Sequence, residues 1–207
     1  MSHQATICLL DISALGEQRL APYEAWLGAA ELARLTRFVR PIRRRQFIAG
    51  RALLRQQLAA HLDCAPAQIV LTEREGQAPA LGGASGGPFF SLSHSGDWVA
   101  CALSTSTPLG LDIERCDKPR DTAALAAQLF DQGQQDWLAA QPAQHRQAAF
   151  YQLWCRMEAH YKLGHAAGYQ AQMPELAGLA HASLAIALCS ADLLQGAPQV
   201  QRVELLT

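Results

Sequence analysis

A short alternating segment, Leu109–Glu114, constrains this chain more than any other part of its sequence. Its apolar residues alternate with Gly110, Asp112 and Glu114, which is the period of a β-strand. Side chains two positions apart on a strand point to the same face. We therefore expect a strand that carries a pair of neighbouring carboxylates.

A second segment, Phe150–Lys162, contains no glycine or proline and predicts a helix. Glu158 and Lys162 are four positions apart, so they share a face of that helix. Three carboxylates on two elements, beside one cation, suit an octahedral Mg²⁺ that also holds a phosphate-bearing substrate. The alternative is an exposed carboxylate pair on a strand and an ordinary ion pair on a helix, and spacing alone favours that alternative.

Three motifs occur in order between Phe89 and Gly164. Their residues favour the metal site over the ordinary surface ion pairs. The first is Phe-Phe-Ser-Leu-Ser-His-Ser-Gly-Asp-Trp-Val-Ala, the second is Gly-Leu-Asp-Ile-Glu, and the third is Trp-x-x-x-Glu-Ala-x-x-Lys. In this order and at this spacing they resemble the 4′-phosphopantetheinyl transferases, specifically the long, single-chain surfactin-type group. Weaker similarity runs back to Arg34, so the resemblance covers most of the chain.

The resemblance implies an enzyme that transfers the 4′-phosphopantetheine arm of coenzyme A to a serine of an apo carrier protein. The reaction would depend on Mg²⁺ and release 3′,5′-ADP, and the carrier would belong to a fatty-acid, polyketide or peptide synthase. Lys162 would pair with the phosphate under attack, and Glu158 or a water that it holds would take the serine proton. The implied metal ligands are Asp112, Glu114 and Glu158, the implied catalytic residues are Glu158 and Lys162, and the implied coenzyme A contacts are Arg34, Gln77, Ser93, His94 and Lys162.

The expected fold class is α+β, and the resemblance implies two similar α+β lobes, a pseudodimer, with the active site in the cleft between them. We expect residues 1–106 to form the N-terminal lobe and residues 107–207 to form the C-terminal lobe with the metal and catalytic motifs. The local patterns predict strands at Ala5–Ile12, Phe89–Ser93, Asp97–Leu103, Leu109–Glu114, Ser183–Cys189 and Gln199–Leu205. They predict helices at Ala21–Phe38, Arg43–Leu62, Ala123–Phe130, Gln134–Ala140 and His145–Leu163. A turn and a short strand are expected in Pro66–Thr72, and a loop is expected over Gly76–Pro88.

Composition excludes several classes of protein. Half of the 207 residues are hydrophobic and the formal net charge is −1, which indicates a soluble globular protein and argues against a general nucleic-acid binder. We expect no membrane span, no secretion signal and a monomer in the cytoplasm. The six cysteines contain no Cys-x-x-Cys spacing, so we expect reduced thiols, with neither a disulfide framework nor a zinc site.

A run of arginines lies in and before the second predicted helix. Arg44, Arg51 and Arg55 fall on one side of that helix and could attract the phosphates of coenzyme A or an acidic carrier protein. The alternative is a solvated helix face in a chain that uses arginine in place of lysine. The run consists of Arg34, Arg37, Arg40, Arg43, Arg44, Arg45, Arg51 and Arg55.

Two positions depart from the family pattern. Met157 stands before Glu158 where the family carries lysine, and Gln77 stands where a Gly-Lys-Pro loop usually has its lysine. A non-catalytic relative that binds coenzyme A or a carrier protein is therefore an alternative to an active enzyme. A serine hydrolase that uses Ser95 is disfavoured, because Ser93 and Asp97 replace the glycines of a Gly-x-Ser-x-Gly turn.

Overall fold

The computed structural model describes residues 3–74, 77–82, 87–117, 120–167 and 181–206. Its N-terminal part contains β1 (Thr6–Asp11), α1 (Glu17–Leu20), a 3₁₀ helix (Ala21–Trp26), α2 (Ala29–Leu35), α3 (Pro41–Leu62), a 3₁₀ turn (Pro66–Gln68), β2 (Leu71–Thr72) and β3 (Ala80–Leu81). The chain continues with β4 (Phe89–Ser95), β5 (Trp98–Ser104), β6 (Leu109–Arg115), α4 (Thr122–Leu129), α5 (Gln132–Ala139), α6 (Ala143–Ala167), β7 (Leu184–Ser190) and β8 (Gln199–Arg202). The predicted α+β class is confirmed.

The main elements begin and end where local chemistry requires. Pro41 starts α3 at a position where its missing N–H is not needed, and Asp63 ends that helix in the left-handed conformation (φ 51°). Gly96 takes the positive φ of 58° that the tight turn between β4 and β5 demands. These signals explain why the long helix and the hairpin agree with the sequence-based prediction.

Two sequence-based predictions of local structure were wrong. The single helix expected over Ala21–Phe38 is divided, because Gly28 adopts an extended conformation (φ −73°, ψ 166°) and its N–H donates to Glu31 across 3.0 Å. The loop expected over Gly76–Pro88 contains the short strand β3, which pairs antiparallel with β2. Part of that loop, residues 75–76 and 83–86, lies outside the described residues.

The strands form a four-stranded sheet in the order β4-β5-β1-β8 and two two-stranded sheets, β2-β3 and β6-β7. Alternate residues of β1 and β5 pack on α3 on one side and on the β6-β7 sheet on the other. The other face of β7 packs on α6, around Phe150 and Tyr151. The molecule is therefore layered as α3, four-stranded sheet, β6-β7 sheet and α6.

The strand β8 follows the expected boundary at residues 106 and 107 but pairs with β1, which precedes that boundary. It lies parallel to β1, with Ile7 opposite Val200 and Leu9 opposite Arg202, and so completes the sheet built by β1, β4 and β5. The division into lobes at 106/107 stays a prediction, but the four-stranded sheet contains residues from both sides of it. No described helix is long and apolar enough to cross a membrane, and all six cysteines are free.

Candidate active site

A cavity of about 620 Å³ opens between α3, β4, α6 and the segment around residues 77–81. This volume lies within the range of about 300–1,000 Å³ that is usual for small-molecule sites. Its lining is basic and aromatic, and Glu158 is the carboxylate found among the described lining residues. The basic and aromatic lining residues are Arg34, Arg43, Arg51, Arg74, His94, Lys162, Phe38, Phe47, Phe89, Phe90 and Tyr161.

The structure brings most of the predicted site residues to this cavity. Arg34, Gln77, Ser93, His94, Glu158 and Lys162 line it directly. Asp112 and Glu114 lie on β6 behind Ser93 and Ser95, and Asp112 is in contact with Lys162. The predicted shared face of the two β6 carboxylates agrees with this arrangement, because Leu111 and Ile113, which alternate with them, pack on the opposite side of the strand.

Lys162 joins α6 to β4 and β6 at the floor of the cavity. Its Nζ donates to Oδ1 of Asp112 (2.7 Å), to the carbonyl oxygen of Leu111 (3.0 Å) and to Oγ of Ser93 (3.1 Å). An ammonium group has three hydrogens to donate, and all three are used here. The positive charge at the cavity floor is thus held in one place beside a buried carboxylate.

Three serines of β4 connect that strand to β6. Ser91, Ser93 and Ser95 accept hydrogen bonds from the backbone N–H groups of residues 111, 113 and 115 at 2.9, 3.2 and 3.0 Å. We call these three residues the serine seam. Sequence reasoning missed its structural role, although serines at every second position of a strand are a signal that one polar face meets a partner.

The seam also holds the carboxylates. Ser93 Oγ donates to Oδ1 of Asp112 at 2.8 Å, and Ser95 Oγ donates to Oε2 of Glu114 at 2.6 Å. Burial and the nearby charge of Asp112 raise the pKa of Glu114, although the bond from Ser95 acts in the opposite direction. A bound cation would stabilise the ionised form of Glu114 beside the neighbouring carboxylate of Asp112.

Some of the predicted Mg²⁺ ligands are placed so that they could bind a cation. Oδ2 of Asp112 is buried and accepts no hydrogen bond by distance and angle from the described residues. The Cys155 thiol lies beside the same carboxylate, and burial and the charge of Asp112 raise the pKa of that thiol. Within the described part of the chain, no group of three or more acidic, histidine or cysteine side chains is arranged to hold a metal, so Glu158 is not gathered with Asp112 and Glu114. Because Mg²⁺ commonly binds one or two carboxylates and completes its shell with water and phosphate, the β6 pair fits such an ion.

His94 faces α3 from the end of β4. Nη1 of Arg43 lies 2.5 Å from Nε2 of His94 and 3.0 Å from its Nδ1. A guanidinium can only donate, so one of the two ring nitrogens accepts and the imidazole is neutral. Burial, the charge of Arg43 and the charge of Lys162 lower the pKa of His94 to about 4, in agreement with that assignment.

The arginine run is not one basic surface. Arg55 is 1% exposed and donates to both carboxylate oxygens of Glu31, which is equally buried. Arg51 lies 3.0 Å from Glu31 and also pairs with Glu73. The interpretation as a solvated face is therefore wrong for Arg51 and Arg55, which are buried and paired with carboxylates. Arg51 nevertheless lines the cavity, whereas Arg55 is not among the lining residues.

Arg34 differs from these buried arginines because it remains partly exposed to the cavity. Its guanidinium pairs with Glu73, whose second oxygen binds Arg51. Burial opposes ionisation of Glu73, but the hydrogen bonds from the two arginines lower its pKa overall. Arg34 is thus held at the cavity wall by a carboxylate that stays charged.

The two departures from the family pattern occupy different surroundings. Met157 is partly buried and packs against the apolar cluster between α6 and β7. Gln77 is exposed and lines the cavity, close in sequence to Arg74, whose Nε donates to the carbonyl oxygen of Ala78. Met157 is therefore a packing residue, whereas Gln77 faces the site.

Gly110 lets α6 approach β6 closely. A Cβ atom at this position would collide with the carbonyl oxygen of Ala159 and with the backbone nitrogen of Leu163. The helix backbone thus passes directly over the strand, at Leu163, which follows Lys162, and at Ala159, about one turn earlier. This contact sets the distance between the cation on α6 and the carboxylates on β6.

The comparisons with known proteins agree with the motifs and the site. Residues 108–185 match the 4′-phosphopantetheinyl transferase superfamily, and this stretch contains the β6 carboxylates and the α6 motif. The 4′-phosphopantetheinyl transferase AcpT of Salmonella typhimurium is 32% identical over 155 residues, which are 74% of each chain. The chain belongs to the 4′-phosphopantetheinyl transferase superfamily.

Other members of the superfamily are longer than this chain. The 4′-phosphopantetheinyl transferase HetI of Nostoc sp. is 34% identical over 148 residues, covering 70% of this chain and 62% of HetI. The 4′-phosphopantetheinyl transferase psf-1 of Bacillus pumilus is 33% identical over 146 residues, covering 70% of this chain and 60% of psf-1. The chain therefore spans about three fifths of the length of these two relatives.

Proposed function

We propose that this protein transfers the 4′-phosphopantetheine arm of coenzyme A to a serine hydroxyl of an apo acyl or peptidyl carrier protein. The serine oxygen forms a bond to the phosphorus on the pantetheine side of the pyrophosphate, and the bond from that phosphorus to the bridging oxygen breaks. The products are the phosphodiester on the carrier and 3′,5′-ADP. The observation that carries the proposal is the Ser93–Asp112–Lys162 cluster at the floor of a basic cavity, in a chain of this superfamily.

The cavity supplies the binding half of this function. Arg34, Arg43 and Arg74 would bind the phosphates of coenzyme A, and the neutral His94 would contribute a hydrogen bond without adding charge. Phe47 and the other aromatic lining residues offer an apolar wall for the adenine and the pantetheine chain. Charge and positioning together account for most of the rate in phosphoryl-type transfers.

The cluster on β6 and α6 supplies the catalytic half. Lys162 would pair with the phosphate under attack, and Glu158, the carboxylate of the cavity wall, would take the proton of the carrier serine. Asp112 and Glu114 would hold Mg²⁺, which when bound offsets charge on the pyrophosphate. Asp112 meanwhile keeps the Lys162 ammonium oriented toward the cavity floor.

We also infer that the chain is a surfactin-type member whose two halves form one site as a monomer in the cytoplasm. The layered arrangement supports this, because α3 on its sheet and α6 on the β6-β7 sheet form two α+β units around the cavity. The carrier serine would enter from the cavity mouth, where Phe89 and Tyr161 are exposed. The carrier would belong to a fatty-acid, polyketide or peptide synthase.

The test is incubation of the chain with coenzyme A, Mg²⁺ and a panel of apo carrier proteins, read by intact mass of the carrier. Transfer to at least one carrier by the wild type, and its loss in an Asp112→Asn protein that remains folded, is the expected result. Binding of coenzyme A in calorimetry without modification of any carrier would support the non-catalytic alternative instead. Modification of carriers by Asp112→Asn at the wild-type rate would contradict the assigned role of that carboxylate.

A further inference from the structure

The three members of the serine seam make the same contact with β6 but differ in what else they bind. Each accepts one backbone N–H from β6, and each is buried, at 5%, 6% and 8% exposure for Ser91, Ser93 and Ser95. Ser93 and Ser95 also donate their hydroxyl hydrogens to Asp112 and Glu114. Among the residues that the structure describes, the seam thus contains two carboxylate-binding serines and one serine that binds backbone without a carboxylate.

The chemistry of a hydroxyl explains how the seam can orient a carboxylate. A serine oxygen offers one donor and two acceptor positions. When a fixed backbone N–H occupies an acceptor position, the hydroxyl oxygen is held in place and its hydrogen points to a defined side. In Ser93 the second acceptor position is taken by Lys162, so all three capacities are used within the protein.

The result of this orientation is visible at Asp112. Its Oδ1 receives Ser93 and Lys162, while its Oδ2 is buried and accepts no hydrogen bond by distance and angle from the described residues. One carboxylate oxygen is therefore anchored, and the other keeps the capacity to bind a cation. At Glu114 the anchored atom is Oε2, which receives Ser95.

We propose that Ser93 and Ser95 are positioning residues that hold Asp112 and Glu114 for a divalent cation. The inference rests on the proposed function only in taking that cation to be the one used in transfer. Groups that orient metal ligands commonly change metal affinity about tenfold to a hundredfold when they are removed. The seam therefore acts on the metal through the carboxylates that it holds.

Ser91 provides a matched control for Ser95. Both are buried and both accept a β6 N–H, at 2.9 and 3.0 Å, so alanine at either position removes the same kind of backbone acceptor. Ser95→Ala alone removes a bond to a carboxylate. A loss of metal affinity in Ser95→Ala but not in Ser91→Ala would therefore report on carboxylate positioning and not on seam stability.

The experiment measures Mn²⁺ binding to the full chain from the electron paramagnetic resonance signal of free Mn²⁺, with and without coenzyme A. We expect Ser95→Ala and Ser93→Ala to weaken Mn²⁺ binding about tenfold to a hundredfold, and Ser91→Ala to change it less than about twofold. Ser95→Thr, which keeps the hydroxyl, should restore most of the affinity. The melting temperature should fall by similar amounts in Ser91→Ala and Ser95→Ala.

Several outcomes would overturn the inference. Equal Mn²⁺ affinity in Ser91→Ala and Ser95→Ala, no rescue by Ser95→Thr, or absence of Mn²⁺ binding by the wild type would each do so. If Ser93→Ala does not fold, Ser95→Ala and its threonine counterpart decide alone. Failure of the proposed function is a separate result, because a wild type that modifies no carrier can still show the serine-dependent difference in Mn²⁺ binding.

Discussion

Replacement of Gly110 by alanine should disable the site without touching any residue that binds a ligand. The added Cβ would collide with the Ala159 carbonyl oxygen and with the Leu163 backbone nitrogen. Both atoms belong to the backbone of α6, so no side-chain rotation can relieve the contact. We expect the helix to move away from β6 by a fraction of the added atom's diameter.

The magnitude follows from two effects. Overpacking of this kind destabilises by about 1–3 kcal/mol. The same movement lengthens the bonds from Lys162 Nζ to Asp112 and to the Leu111 carbonyl oxygen, now 2.7 and 3.0 Å. Misplacement of a catalytic group by about 1 Å can lower the rate about a hundredfold, so the loss of activity should exceed the loss of stability.

The assay combines urea unfolding with kcat and KM for coenzyme A in carrier modification. Gly164→Ala is the matched control on the same helix, because a Cβ there meets nothing within 4 Å. It should leave the rate unchanged and raise stability by up to about 1 kcal/mol, as alanine does in an exposed helical position. Wild-type kcat in a folded Gly110→Ala protein would refute the argument that this contact sets the distance between α6 and β6.

Three further outcomes are expected. Glu31→Gln should lower the unfolding free energy by on the order of 3 kcal/mol, because it leaves the buried Arg55 without its counter-ion, and urea unfolding with a loss below about 1 kcal/mol would contradict this. Met157→Lys should lower the melting temperature by weakening the apolar cluster and leave KM for coenzyme A unchanged, whereas a lower KM would show that the family lysine is functionally missing. His94 has an ordinary pKa of 6.5 and a pKa of about 4 in the folded protein, so the unfolded chain takes up this proton first as the pH falls. The free energy of unfolding should therefore decrease from pH 6.5 toward pH 4. The variant His94→Asn should show a smaller decrease over the same pH range.

The local patterns of β6 and α6 were sufficient to predict which of their residues share a face. Strand alternation aligned Asp112 with Glu114, and the helical repeat aligned Glu158 with Lys162, because both periods are properties of the backbone itself. Proximity between the two elements did not follow from either period. It depends on Gly110, whose missing side chain matters only because another backbone passes over it.

Other features depended on partners far away in the sequence. A cluster of arginines is typical of a solvated face, yet Arg51 and Arg55 are buried because Glu31 and Glu73, from other segments, neutralise them. Neither acid stands at a helical spacing from the arginines, so no local pattern could pair them. The role of Ser93 was hidden for the same reason, since its partners lie on β6 and α6.

The parallel pairing of β1 with β8 has a consequence for synthesis on the ribosome. The chain emerges with β1, β4 and β5 long before β8, so one edge of β1 has no strand partner while the β6, α6 and β7 segments are being made. An unpaired strand edge of this kind invites association with other chains. We therefore expect a nascent chain stalled before residue 199 to be prone to aggregation even though α3 and most of its sheet are already present.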